Sequence, residues 1–260
     1  IVWHSRDLVA LKPIGGWLGR RAERIVAISE TVHAHLAGEI GSSQRLVTVM
    51  NGIDVVGLRA RSRGATRPCS YPEDTIVLAT LGQMVPWKRQ DVFLEAAAQV
   101  AKACPRARFL VVGDVPPGGD PAIRDQLMAR AAAPDLAGRV TFTGRCEDVA
   151  RLLPWIDGVV HPATREPFGR IVAEAMALEC PVIATKSGGP AEIIADPRHG
   201  ILIESASAPA FATAMLELAG NQDLRRQLAM AGRQRIERDF DVRRVAQSVA
   251  SIYDDVTGGK

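Results

Sequence analysis

From about residue 75 onward the chain alternates two hydrophobic periods. Short runs of apolar or β-branched residues stand at 76–81, 109–112, 140–143, 158–161, 181–184 and 201–203. Each is too short for a helix and most lack a polar face, the pattern of a strand covered on both sides. Between them lie segments with apolar residues at helical spacing. Residues 88–104 place Val92, Phe93, Ala96, Ala97, Val100 and Ala101 on one face, and Pro105 ends the segment. Shorter helices are predicted at 122–133, 149–156 and 168–178. Strict alternation of strand and helix dictates right-handed crossovers and a parallel sheet. The predicted fold class is therefore α/β, a doubly wound, Rossmann-like parallel sheet of about six strands, with ligands expected at the strands' carboxyl ends.

The flanks read differently. Residues 208–256 are helical throughout, with Phe211, Met215 and Leu218 on one stripe and Leu224, Leu228, Ile236 and Phe240 on another. Asp241 is a candidate cap for a last helix carrying Val245, Val249 and Ile252. Before residue 51, strands are predicted at 1–3, 24–28 and 46–50, with a helix over 31–39. Residues 57–74, rich in Arg, Ser, Gly and Pro, read as an exposed loop.

Composition narrows the function classes. The 260 residues are 47% hydrophobic and 23% charged, which is ordinary for a globular protein. The net charge of +3 comes from interleaved acids and bases, so a nucleic-acid partner is not expected. Cys69, Cys104, Cys146 and Cys180 lie more than 30 residues apart, without metal or redox spacing. They read as the scattered thiols of a cytoplasmic protein. No apolar run reaches the ~18 residues of a membrane span, and residues 1–7 lack the features of a signal peptide. Ile1 opens in a predicted strand, so the chain reads as a piece of a longer protein.

The chemistry concentrates where strands give way to helices. The segment Arg165-Glu166-Pro167-Phe168-Gly169-Arg170-Ile171-Val172-Ala173-Glu174-Ala175-Met176-Ala177 follows a strand and opens a helix. A helix start offers free N–H groups and a positive dipole end, which suits a phosphate. Glu166 precedes that helix. Glu174 lies about a turn and a half inside it, among apolar neighbours, where a carboxylate needs a partner: the hydroxyls of a ribose, or an Arg. A second junction, Leu81-Gly82-Gln83-Met84-Val85-Pro86-Trp87-Lys88-Arg89, puts two cations near a helix start, where the plain alternative is a solvated basic pair. Val112-Gly113-Asp114 and Thr143-Gly144-Arg145, strands ending in a small residue as in many α/β loops, and Ser187-Gly188-Gly189-Pro190-Ala191-Glu192, whose alternative is simple turn chemistry, complete the set.

Taken together and in order, these segments and Asn51-Gly52-Ile53-Asp54 resemble the family-4 retaining glycosyltransferases, of the two-Rossmann-domain (GT-B) type. The resemblance covers nearly all of the chain. Its most specific element is the glutamate pair Glu166 and Glu174 in E-P-F-G-x4-E-A form. It implies a nucleoside-diphosphate sugar as donor substrate, no cofactor and no metal, with transfer to a glycan or lipid-linked acceptor. It implies that Glu166 and the backbone at Phe168 and Gly169 contact the donor sugar. The backbone at Ile171 and Val172 would approach the distal phosphate, and Glu174 would hold the ribose. Lys88 would stabilise the leaving diphosphate, with Gly82, Gln83 and Arg89 beside it, and Gly144 with Arg145 would border the base. His4 falls where many members carry a histidine facing the sugar. Members commonly have Arg where this chain has Gln83, so phosphate binding would lean on Lys88 and Arg89.

The resemblance also divides the chain. Residues 1–50 would be the tail of an acceptor-side domain whose larger part precedes Ile1. Residues 51–240 would be the donor-binding domain, and 241–260 a C-terminal helix. Without most of the acceptor domain, the isolated chain is expected to bind nucleotide but not to transfer sugar. Lys12, Trp17, Leu18, Arg20, Arg21 and Arg24 could place a basic face on the inner surface of a membrane; an interdomain helix with a solvated basic face is the simpler reading. Two rivals are a nucleotide-sugar 2-epimerase and a non-catalytic nucleotide-binding module. A nicotinamide dehydrogenase ranks a poor third, since no G-x-G-x-x-G follows a strand.

Overall fold

The structure is a computed structural model, and it describes residues 1–10, 14–41, 43–65, 67 and 71–258. The chain opens with β1 (Val2–Ser5), α1 (Ile14–Arg21), β2 (Arg24–Ala27), α2 (Glu30–Ile40) and β3 (Leu46–Thr48). Its strands form a three-stranded parallel sheet in the order β1-β2-β3. After α3 (Val55–Ser62) come β4 (Ile76–Leu81), α4 (Gln90–Ala103), β5 (Ala107–Val112), α5 (Ala122–Ala131) and β6 (Val140–Gly144). Next are β7 (Gly158–His161), α6 (Arg170–Ala177), β8 (Val182–Thr185), α7 (Gly189–Ile193) and β9 (Ile201–Ile203). Three helices, α8 (Ala208–Gly220), α9 (Gln222–Asp239) and α10 (Val242–Thr257), end the chain.

The large sheet is parallel throughout, in the order β6-β5-β4-β7-β8-β9. The chain winds outward from β4 in one direction and from β7 in the other. The crevice between β4 and β7 is thus the switch point, where doubly wound sheets bind ligands. The pleat divides β4 between two cores: Val77, Ala79 and Leu81 face one side, Ile76 and Leu78 the other. The first core runs on without a break into Ile25 and Ala27 of the small sheet and Val32 and Leu36 of α2. The second holds Phe93 and Phe109 edge to face, together with Phe211, Met215 and Leu218 as their spacing predicts.

The C-terminal helix returns to the N-terminal part. Asp241 caps α10 by accepting from the Arg243 N–H, as its position in the sequence suggests. Ile53 N–H donates to the Phe240 carbonyl at 2.7 Å, and Val242 N–H donates back to Ile53 at 3.0 Å. A Cβ on Gly52 would lie 2.7 Å from Val242 Cα, so this crossing requires glycine.

Four readings of the sequence are corrected. Residues 57–74 are not one loop: α3 fills Val55–Ser62, capped by Asp54 and anchored by buried Val55 and Leu58, too short a pattern for a periodicity argument. Residues 66 and 68–70, with Cys69, lie outside the described residues, as does Lys12. Residues 149–156 form two 3₁₀ turns, Val149–Arg151 and Leu153–Trp155, the second with Pro154 near its start. Helix α4 starts at Gln90, not residue 88, because Arg89 sits in the left-handed region at φ 54°. Helix α6 starts at Arg170 because Gly169 has φ 92°. Among the described residues no helix is long and apolar enough to cross a membrane. Helix α1 does expose Ile14 and Trp17, with Arg21 stacked over the Trp17 ring.

Candidate functional site

The carboxyl ends of β4, β5, β6 and β7, with the start of α6, enclose a cavity of about 920 Å³. That is the size of a small-molecule site. Gly82, Gln83, Trp87 and Lys88 follow β4, and Gly113 to Pro117 follow β5. Arg145 and Cys146 follow β6; Glu166 through Ile171, with Glu174, form the floor. Arg6, Asp7, Ile28 and Asn51 reach the same cavity from the small sheet. Loop contacts of near-zero tolerance hold these ends together. A Cβ on Gly113 would lie 2.0 Å from the Gly82 carbonyl, and on Gly188 2.2 Å from the Glu166 carbonyl. Gly82 and Gly113 both adopt positive φ, which lets the two loops touch.

At the switch point stand three groups. Lys88 Nζ pairs with Glu166 Oε2, and its ammonium lies 4.4 Å above the Trp87 ring. His161 Nε2 is 3.0 Å from the same Oε2. An ionised carboxylate can only accept, so with Glu166 ionised the ring proton sits on Nε2. Burial alone would raise the Glu166 pKa; the His161 hydrogen bond and the Lys88 charge outweigh it and bring the carboxyl down to about 2. Burial pushes the His161 imidazole down, so the ring is neutral at pH 7. Backbone bonds fix the spacing of the two halves: Thr164 N–H donates to the Trp87 carbonyl at 2.9 Å, and Gly189 N–H to the Glu166 carbonyl at 2.9 Å.

Helix α6 opens onto the cavity. The N–H groups of Val172 and Ala173 already donate to Gly169. Those of Arg170 and Ile171 have no acceptor among the described residues, which leaves two free donors at a positive helix end. Glu174 lies one turn further in. Of the two partners its sequence context left open, the structure shows an Arg: Arg170 Nε reaches Glu174 Oε1 at 2.7 Å. Arg170 is 82% exposed, however, and both residues border the cavity, so this pair is open to a ligand.

Most residues singled out from the sequence meet here: Glu166, Lys88, Gly82, Gln83, Arg145, Phe168, Gly169, Ile171 and Glu174 all line the cavity. Four do not. His4 stacks on Tyr253 of α10, with Nε2 3.3 Å from its hydroxyl, and Arg6 and Asp7, just past the end of β1, reach the cavity instead. Arg89 chelates Asp91 with Nε and Nη2, its left-handed backbone directing it away from Lys88. Val172 is fully buried in the core. Gly144 is not among the lining residues, and its carbonyl accepts from Gly113 N–H at 2.8 Å.

Two groups went unread in the sequence. His161 was visible as a polar residue closing the apolar strand Gly158-Val159-Val160-His161, a signal that was available. Arg6 and Asp7 had none, because only packing of the small sheet brings them here. Glu192, part of the sequence motif, caps α2: it accepts from Glu30 N–H and Thr31 N–H at 2.8 Å each and from the Thr31 hydroxyl at 2.6 Å. Ser29 donates to the Pro167 carbonyl beside it. The small sheet is thereby tied to the Glu166 loop.

This arrangement agrees with comparisons to known proteins. Residues 67–235 match the family of glycosyl transferases group 1. The chain belongs to that family. As a group 1 glycosyl transferase it is 32% identical over 242 residues to D-inositol 3-phosphate glycosyltransferase 2 of Catenulispora acidiphila, covering 89% of this chain and 56% of that protein. It is 27% identical to the GDP-mannose-dependent monoacylated alpha-(1-6)-phosphatidylinositol monomannoside mannosyltransferase of Corynebacterium glutamicum, covering 90% of this chain and 63% of that one. The chain thus spans little more than half the length of these relatives. Anabaena Alr3699/HepE, solved with UDP and glucose, superposes with a TM-score of 0.85 at 23% identity, covering 97% of this chain and 71% of that one. The likeness establishes the two-sheet GT-B fold.

Proposed function

We propose that this chain binds a nucleoside-diphosphate sugar and forms the donor side of a retaining glycosyltransferase of family 4. The observation that carries the reading is the cavity at the switch point. One helix start with two free N–H donors, one ammonium and two carboxylates face a common volume of about 920 Å³. The diphosphate would lie between Lys88 and the N–H groups of Arg170 and Ile171, where charge developing on the leaving group is stabilised. Glu174 would accept from the ribose hydroxyls, displacing Arg170. Glu166 would accept from a sugar hydroxyl, and Arg145 would border the base. Arg6, from the facing wall, brings the second cation that Gln83 and Arg89 do not supply.

The donor base is left open. The Corynebacterium relative is described as GDP-mannose-dependent, while Alr3699/HepE was solved with UDP. The acceptor we propose is a glycan or lipid-linked hydroxyl, taken from the same relatives, at the cytoplasmic face of a membrane touched by Trp17 and the arginines of α1.

The facing wall is thin: among the described residues, Arg6, Asp7, Ile28 and Asn51 oppose the donor loops. Residues 1–260 are therefore expected to bind nucleotide without efficient transfer, since transfer needs both reactants held in a closed cleft. Calorimetric titration with UDP, GDP and ADP, beside a radiolabelled transfer assay over lipid and sugar acceptors, tests both halves. Binding of one nucleotide with negligible turnover is expected. No binding of any nucleotide would overturn the site; efficient turnover would overturn the view of the wall.

A further inference from the structure

We propose that His161 is a positioning residue for the donor sugar, acting through Glu166. The inference rests on the donor-sugar reading of the cavity. Two donors converge on a single oxygen of Glu166: Lys88 Nζ and, at 3.0 Å, His161 Nε2 both reach Oε2. The other oxygen, Oε1, accepts from no described residue. The carboxylate is therefore held by one edge, and its second oxygen is left to the cavity that Glu166 lines.

Lys88 alone could not enforce this. An ammonium on a flexible stem bonds either carboxylate oxygen, or both, and follows the carboxylate as it turns. The imidazole is different. His161 closes β7 in the middle of the sheet, is 2% exposed, and is paired in register with Ala184 of β8. Its ring has one donor at one fixed point. That donor assigns Oε2 to the protein and Oε1 to the ligand. Without it, Lys88 is free to take both oxygens and draw Oε1 out of the cavity.

A residue of this kind affects the sugar and not the nucleotide. The expected diphosphate donors, the start of α6 and Lys88, share no hydrogen bond with the ring among the described residues, and Glu174 lies elsewhere on the floor. The test is the affinity gained by adding the sugar, measured by titrating UDP against UDP-glucose, GDP against GDP-mannose and ADP against ADP-glucose. His161→Phe keeps an aromatic ring and removes the donor. His161→Gln restores an amide N–H near the position of Nε2, and His161→Leu removes the donor in a smaller volume.

Wild type should bind one nucleotide sugar more tightly than its diphosphate. His161→Phe and His161→Leu should lose about tenfold of that increment or more, with diphosphate affinity unchanged, and His161→Gln should recover most of it. Equal increments in all folded variants would overturn the inference. So would an equal loss for diphosphate and sugar nucleotide in a variant of native thermal stability, since the ring would then act by packing. Absence of diphosphate binding in wild type would instead overturn the reading of the cavity.

Discussion

The sharpest test of the site's construction is Gly189→Ala. Gly189 is the first residue of α7, and its own φ is not in the left-handed region, so any effect is steric. An added Cβ would stand 2.1 Å from the Phe168 carbonyl oxygen, 2.3 Å from its Cα and 2.4 Å from its carbonyl carbon. These are backbone atoms, which cannot swing aside as a side chain would. Restoring ordinary contact in a close-packed interior requires the Glu166–Phe168 loop or α7 to retreat by about 1 Å. Overpacking of this kind destabilises by about 1–3 kcal/mol. A shift of ~1 Å in a positioning loop can weaken site chemistry by about 10²-fold. Gly38→Ala is the control: it lies inside α2 with open space around its Cβ and should stabilise by about 0.5–1 kcal/mol. Urea unfolding gives the stability change, and calorimetry gives nucleotide-sugar affinity. If Gly189→Ala matched wild type in both, the Glu166 loop would be soft and its packing irrelevant to binding.

Further outcomes are expected. Glu174→Ala should weaken diphosphate binding by about 1–3 kcal/mol, the range of a hydrogen bond to a charged group, while the lost pair with exposed Arg170 shifts stability by less than ~1 kcal/mol. Calorimetry and urea melts separate the two, and unchanged affinity would remove Glu174 from the site. Glu192→Ala should cost about 2 kcal/mol, since two backbone donors of α2 and the Thr31 hydroxyl lose their acceptor. Hydrogen exchange should show the loss first in α2, and unaltered protection there would refute the clamp. Glu166, held at about 2 in the fold against 4.5 unperturbed, contributes stability that is fully present above pH ~4.5 and lost as pH falls toward 2, about 3 kcal/mol in all. Burial of neutral His161 acts in the same direction, because the unfolded ring gains its proton as pH falls through about 6.5. Glu166→Gln should flatten the stability profile between pH ~5 and ~2.5, whatever it does to stability at pH 7; a slope equal to wild type would refute the assignment.

Hydrophobic periodicity alone determined the alternation of strands and helices, the parallel sheet and the two apolar stripes of the C-terminal helices. Each arises from local spacing, and burial of an apolar run has few solutions. The residues at the strand ends were legible for the same reason: in a doubly wound sheet, the loop after each strand faces the crevice. Glu166, Lys88 and the Phe168-Gly169 turn came from that rule together with a family resemblance. Tertiary structure decided the rest. Whether a cation beside Lys88 points into the cavity depends on the φ of Arg89, which sequence spacing does not encode. Which residue in or just after the first strand reaches the site depends on how the small sheet packs, and it sends Arg6 and Asp7 there while His4 turns to Tyr253. Glu192 reads as turn chemistry until α2, some 160 residues earlier, brings its free N–H groups to the carboxylate. Side-chain direction and long-range capping are properties of packed surfaces, and only the folded chain brings those surfaces together.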